Sequence, residues 1–312
     1  MLQIVARESE RPSRNAPGLA IGLAQRHRIR GVPILSFKWS GFVPGLIASL
    51  CEPNSVDVET IEASQRDHYD KIGGEYDLHY SDKWSQAYRE DFLSAPMFRG
   101  YNLKGKKVLD AMCGGGQLAA YMQAQGAEVW GLDISEVQVE ALKVRRPEVN
   151  TTVGSIFRMP YEDNTFDAVG ICNALHHLHP HIDQALLEIH RVLKPGGCFG
   201  FSEPASGTFL DLLRQLWYRF DPLFEESEKA VDLEAMERTC QDLFDFQSDE
   251  YVGNLAYIFV LNSMILRVPM SLKNAYSPWM LRAEGVLNKV LPKFLSCAVV
   301  CSWRKKTDHA KG

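Results

Sequence analysis

One stretch, Lys106 to Ser135, constrains this chain more than any other: KKVLDAMCGGGQLAAYMQAQGAEVWGLDIS. Lys106–Met112 is a short apolar run of strand formers. Gly114, Gly115 and Gly116 follow Cys113 in a loop that can bring bare backbone N–H groups against a ligand. Gln117–Gln125 places Leu118, Ala119, Tyr121 and Met122 at helical spacing, and Gly126 suits the residue after a helix end. Glu128–Ile134 is a second apolar strand. The order strand, glycine loop, helix, strand is half of a nucleotide-binding βαβ unit. Asp110 closes the first strand and Asp133 the second, where a carboxylate can accept hydrogen bonds from both hydroxyls of a ribose. The glycines alone also satisfy the dinucleotide fingerprint, as Gly114-x-Gly116-x-x-Ala119, so the two acids carry more information than the loop.

The alternation continues downstream. Ser135 caps an amphipathic helix running to about Arg145, with Glu136 in its first turn. Asn150–Ile156 reads as a third strand, Arg158–Asp167 as a loop, and Phe166–Cys172 as a fourth strand. His181–Leu193 is a helix with Ile182, Ala185, Leu186, Ile189 and Leu193 on one face. Lys194-Pro195-Gly196-Gly197 stops it, and Cys198–Ser202 is a fifth strand. Strands alternating with helices predict a parallel sheet covered on both faces.

On these residues the chain resembles the class I S-adenosylmethionine-dependent methyltransferases, in particular the small-molecule branch that includes the ubiquinone and menaquinone enzymes. The family's first motif is roughly V-L-D-x-G-C-G-x-G. Here it stands as Val108-Leu109-Asp110-Ala111-Met112-Cys113-Gly114-Gly115-Gly116, with Met112 where the family has its first glycine. The loop RMPYEDNTFD (158–167), the strand FDAVGIC (166–172) and the turn RVLKPGG (191–197) resemble the same family in the same order. The segment from His68 to Asp77 resembles the one that folds over the cofactor there. The resemblance covers about Tyr69 to Pro204. It implies a Rossmann-like α/β fold: a seven-stranded, mostly parallel sheet with helices on both faces, an antiparallel final strand and a helical lid. The implied cofactor is S-adenosyl-L-methionine.

The resemblance also implies roles. Gly114, Gly115 and Gly116 would face the methionine end of the cofactor, Asp110 would lie beside its ammonium, and Asp133 would hold the ribose. Ile134 follows Asp133. Ser155 stands where an acid commonly meets the adenine amino group, with Ile156 to pack on the ring. Asn173 would face the sulfonium, and Tyr69 and Tyr76 are candidates to cover the methionine arm. His176, His177 and Glu203 sit at C-terminal strand ends, where open α/β sheets bind ligands, and are candidate general bases. The opposing reading makes them structural members of a loop. Asn173 lacks the following Pro-Pro-aromatic of amine-methylating nucleic-acid enzymes.

Composition narrows the partners. A net charge of −5 leaves no electrostatic footprint for nucleic acid. The seven cysteines form no Cys-x-x-Cys pair, so reduced thiols, a cytoplasmic location and no metal site are expected. Residues 1–55 differ from the rest. Met1–Lys38 holds seven Lys and Arg against Glu8 and Glu10, and Val32–Cys51 is apolar. A targeting segment, a membrane anchor and a poorly ordered extension compete here, and the extension is favoured because Pro33, Lys38 and Pro44 interrupt the apolar run. The methyltransferase domain is then 56–312, with its core at 104–204 and a lid and C-terminal insertion at 205–295.

Within that domain Val56–Arg66 and Lys83–Leu93 read as helices. Further on, Phe209–Phe220 is leucine-rich and aromatic, Asp232–Leu243 reads as a helix and Phe244–Val252 as a sixth strand. Leu255–Leu266 is apolar, Trp279–Leu295 reads as a helix and Ser296–Trp303 as the last strand. The apolar insertion reads either as ordinary core and lid helices or as a pocket for a small, apolar acceptor, lipid-like or polyketide-like, and it leaves peripheral membrane contact open. Two other functions stay open: a nicotinamide-dependent (NAD) oxidoreductase, and a non-catalytic S-adenosylmethionine-binding protein.

Overall fold

A computed structural model describes residues 57–79, 81–209, 211–212, 229–261 and 268–307, the side chains of 72–79 excepted. The expected extension at 1–55, most of Phe209–Phe220 and the Tyr76 side chain lie outside the described residues.

Seven strands form one sheet: β1 (Lys107–Ala111), β2 (Glu128–Asp133), β3 (Asn150–Val153), β4 (Phe166–Cys172), β5 (Leu193–Pro204), β6 (Phe244–Val252) and β7 (Ala298–Lys305). Their order is β3-β2-β1-β4-β5-β7-β6. The first five strands pair parallel, and β7 inserts antiparallel between β5 and β6. Alternate residues of each strand feed the two faces. Leu109, Val169, Phe199 and Cys301 belong to one apolar cluster, and Val108, Ala168, Cys198 and Val300 to the other. That is the period-2 pattern of a sheet buried on both sides. Trp303 anchors the first cluster, its ring 4.8 Å from Phe201 and 5.7 Å from Phe244, both distances within aromatic contact.

The helices among the described residues include α1 (Val58–His79), α2 (Lys83–Arg89), which runs through a π turn into α3 (Ala95–Met97), α4 (Gln117–Ala124), α5 (Glu136–Arg145), α6 (Ile182–Val192), α7 (Leu233–Cys240) and α8 (Met270–Val290). Three differ from the sequence reading. The first helix, expected over Val56–Arg66, runs on through Gly73 and Gly74 to His79. Two interior glycines cost about 1 kcal/mol each, and tertiary contacts offset this: Asp70 accepts the Ser135 hydroxyl, and Tyr69 meets His177. The last long helix begins at Met270, before the expected Trp279, and continues past Pro278. Its first half is fixed by a buried ion pair, Lys273 Nζ lying 2.6 Å from Asp82 and 2.8 Å from the Ser85 hydroxyl. Its second half is held by the buried Glu284 carboxylate, which accepts the Asn254 and Ala256 amides at 2.6 and 2.9 Å and the Tyr88 hydroxyl at 3.1 Å. Finally, β5 starts at Leu193, so the Lys194–Gly197 turn is part of the strand, with a register shift opposite Phe166 and Ala168.

Candidate active site

The strand order doubles back between β1 and β4, which opens a crevice at their C-terminal ends. A cavity of about 1000 Å³, open solvent at its mouth included, lies there against the ends of β1 to β4, α1 and Arg89.

The glycine loop divides its labour. Gly114 and Gly115 line the cavity, and a Cβ on Gly114 would meet nothing within 4 Å. Gly116 does not line it. It caps α4 at φ +77°, and a Cβ there would fall 2.3 Å from Leu142 Cδ1, so its bareness serves the packing of α4 on α5. Met112 adopts φ +59°, the left-handed conformation that a glycine takes without strain. The loop therefore keeps the path of a glycine loop at a cost of about 1–2 kcal/mol.

The two expected acids are both present and both already engaged. Asp133 Oδ2 accepts the Gly114 amide at 2.8 Å and its Oδ1 accepts the Ser135 amide at 2.9 Å. This carboxylate ties β2 to the loop and still has lone pairs on the cavity side. Asp110 lines the cavity too, and its Oδ2 accepts the Ala119 amide at 2.8 Å in the first turn of α4. Burial raises both carboxyls above their usual range. Ile134, Ile156, Asn173 and Tyr69 also line the cavity.

Ser155 departs from its expected part. Its hydroxyl is bonded to Glu62 of α1 and accepts the Phe157 amide at 3.0 Å. Sequence reasoning missed Glu62, Gln65, Arg89 and Gln138, all of which face the cavity. Glu62 lies 93 positions before its partner, and no local pattern carries such a contact.

The candidate bases separate. His177 lines the cavity, and its Nε2 is 2.9 Å from the Tyr69 hydroxyl. His176 and Glu203 do not line it. Glu203, fully buried, accepts the amides of Ala174, Leu175 and His176 and pairs with His176 Nδ1 at 2.7 Å. That places both in the support of the turn Leu175–Leu178. The rings of His176 and His177 lie 4.0 Å apart, tilted by 38° to one another.

Burial, and next the neighbouring His176, hold the His177 imidazole well below its usual 6.5. A histidine depressed in the folded state is protonated mainly in the unfolded chain, so it withdraws stability as pH falls below 6.5. Replacing His177 with Asn removes this loss. Denaturation from pH 7.5 to 5 should move the stability difference progressively in the variant's favour below pH 6.5, by at most about 1.4 kcal/mol per pH unit. A constant difference would mean that His177 titrates normally.

Two features decide what this cavity can hold. It is lined by three carboxylates, Glu62, Asp110 and Asp133, against one guanidinium, Arg89. It also presents three buried amide oxygens, on Gln65, Gln138 and Asn173, with no hydrogen-bond partner among the described residues. Such a site calls for a ligand that is cationic and rich in N–H and O–H donors. A pyrophosphate would meet carboxylates instead. Among the described residues, no group of three His, Cys, Asp or Glu is arranged to hold a metal ion.

Residues 109–201 match the family described as a methyltransferase domain. A demethylmenaquinone methyltransferase of Symbiobacterium thermophilum is 33% identical over 183 residues, 54% of this chain and 70% of that one. The chain belongs to the class I S-adenosylmethionine-dependent methyltransferases. A sterol 24-C-methyltransferase of Gibberella zeae is 34% identical to this methyltransferase over 173 residues, 47% of this chain and 45% of the relative. An uncharacterised methyltransferase of Synechocystis is 41% identical over 96 residues, 30% of this chain and 45% of the relative. The methyltransferase thus spans less than half the length of those two. Its fold is similar to that of the cyclase SpnF, at a TM-score of 0.55 and 18% identity, covering 79% of this chain and 97% of that one.

The donor S-adenosylmethionine, implied by family membership, fits what the cavity offers. Its ammonium, ribose hydroxyls and exocyclic amine are donors, and the cavity's unpartnered oxygens and carboxylates are acceptors. Its charged sulfur suits a carboxylate-lined wall.

Proposed function

We propose that this methyltransferase transfers the methyl group of S-adenosylmethionine to a small apolar acceptor. The observation that carries the reading is the excess of acceptors in the cavity at the β1–β4 switch point, three carboxylates and three unpartnered amide oxygens. When bound, the cofactor supplies a methyl group on a positively charged sulfur, already a good leaving group. The residues of the chain then bind, orient and move a proton. Asp133 holds the ribose hydroxyls. Asp110 and the bare backbone of Gly114 and Gly115 receive the amino-acid end, and Arg89 answers its carboxylate.

Burial favours the neutral His177 imidazole, which leaves Nε2 a lone pair to accept a proton, at some cost in basicity. In this reading a proton leaves the acceptor for the Tyr69 hydroxyl oxygen while the Tyr69 proton passes to His177 Nε2, 2.9 Å away. Apolar acceptor chemistry is supported by Met112, Leu118, Phe157 and Leu178 on the cavity wall, and by relatives named for demethylmenaquinone and sterol methylation. No helix among the described residues is long and apolar enough to cross a membrane.

Calorimetric titration of the full chain with S-adenosylmethionine, S-adenosylhomocysteine and NADH tests the cofactor. The first two should bind and NADH should not. Binding of NADH alone would overturn the reading in favour of hydride transfer. Release of S-adenosylhomocysteine with demethylated quinone or sterol acceptors tests the reaction. The His177→Gln variant should lower kcat by about 100-fold or more while cofactor affinity holds. An unchanged kcat would remove His177 from the chemistry.

A further inference from the structure

The structure places an ionisable group of α1 against the one part of the cavity that the expected site residues leave without an acid. This inference rests on the S-adenosylmethionine reading. With the ribose at the end of β2 and the amino-acid arm over the loop that follows β1, the base must run the other way, toward β3, the outer neighbour of β2. Two stretches line the cavity there: Gly154, Ser155, Ile156 and Phe157 beyond β3, and Ile61 and Glu62 on α1. Its apolar side chains suit the faces of a purine. Its carboxylate is Glu62, since Asp110 and Asp133 belong to β1 and β2.

We infer that Glu62 is the residue that recognises the 6-amino group of the base, and that Ser155 positions it. The Ser155 hydroxyl is spent on both sides, donating to Glu62 Oε1 and accepting from the Phe157 amide. It has no proton left for the ligand, and its remaining acceptor capacity is weak beside a carboxylate. Among the described residues, Ser155 is the hydrogen-bond partner of Glu62 through Oε1, which leaves Oε2 to accept an N–H. A specificity contact usually built into the strand end is thus delivered by a helix that precedes the sheet. Base recognition and the docking of α1 become one event: the helix is also bonded to the strand ends through Tyr69 with His177 and Asp70 with Ser135.

The test compares S-adenosylhomocysteine with S-inosylhomocysteine, which carries a 6-oxo group in place of the amine, by calorimetry on the full chain. The wild type should prefer the amine by about 10- to 100-fold, the range for a hydrogen bond to a charged group. In Glu62→Ala the preference should collapse to near parity, through weaker binding of the amine alone. Glu62→Gln keeps the size of the side chain and can donate to a 6-oxo group, so the preference should fall or reverse there too, and this variant covers any failure of the alanine variant to fold. An undiminished preference in both variants would overturn the assignment while leaving the cofactor reading intact. A wild type that binds neither ligand would instead overturn the cofactor reading, and this inference with it.

Discussion

Replacing Asp133 with alanine is expected to weaken S-adenosylmethionine binding by about 2–4 kcal/mol, roughly 30- to 700-fold. Two charge-assisted hydrogen bonds to the ribose hydroxyls go, less what water restores. The structure adds a second loss. Asp133 also accepts the amides of Gly114 and Ser135, so the alanine variant frees the glycine loop from the end of β2 and leaves the buried Ser135 amide without its carboxylate. Stability should fall as well, by about 1–3 kcal/mol for the stranded donors. Asp133→Asn separates the two effects. It keeps one acceptor oxygen but turns an NH₂ toward groups that themselves donate, so cofactor affinity should drop nearly as far while the fold suffers less. Calorimetry and chemical denaturation of the two variants read both quantities. Affinity within threefold of the wild type in Asp133→Ala would mean that no ribose is held at this strand end.

The part of the site that could be read in the sequence is the part that is local. Strand, loop, helix and strand from Lys107 to Asp133 follow from residue spacing, and Asp110 and Asp133 are placed by their strand ends. Met112 shows where such reading stops. A side chain replaces a glycine, yet the backbone keeps the glycine conformation at φ +59°, because its neighbours along β1 and the Asp133–Gly114 bond fix the loop more firmly than the preference of one residue. The same holds for α1, whose helical reading ended at Arg66, while contacts from Tyr69 to His177 and from Asp70 to Ser135 help carry it through Gly73-Gly74 to His79. Pro278 likewise looks like a helix start until the buried Lys273–Asp82 pair is seen holding the preceding turns. Glu62, Gln65, Arg89 and Gln138 were illegible for a related reason. They are polar residues of ordinary helices, and only the assembled sheet turns them toward one cavity. Gly116 is the opposite case, legible as a ligand-facing glycine but used for packing against Leu142.

Glu203 tests whether an acid at a strand end acts in chemistry or in structure, and the expected result is structural. Glu203→Ala should destabilise the chain by about 3–5 kcal/mol, the range for removing one partner of a buried polar network. Its carboxylate accepts three backbone amides from Ala174 to His176 and pairs with the Nδ1 of His176, and all three residues are buried. A loss of that size is a large share of the roughly 5–15 kcal/mol that holds a domain folded. Burial pushes the Glu203 carboxyl up to about 7, while the donors around it favour the ionised form. His176 Nδ1, 2.7 Å away, adds a side-chain partner to the amides that hold this carboxyl. Glu203→Gln tests that arrangement. It preserves shape but offers one acceptor where there were two, so it should cost less than alanine and more than 1 kcal/mol, the typical worth of one hydrogen bond. The functional consequence is indirect. The turn that Glu203 supports carries His177 to the cavity, so a folded Glu203→Gln variant should keep its affinity for the cofactor and lose rate in step with the mispositioning of His177. A Glu203→Gln protein with full stability and no activity would reverse the assignment and make Glu203 a participant in proton transfer.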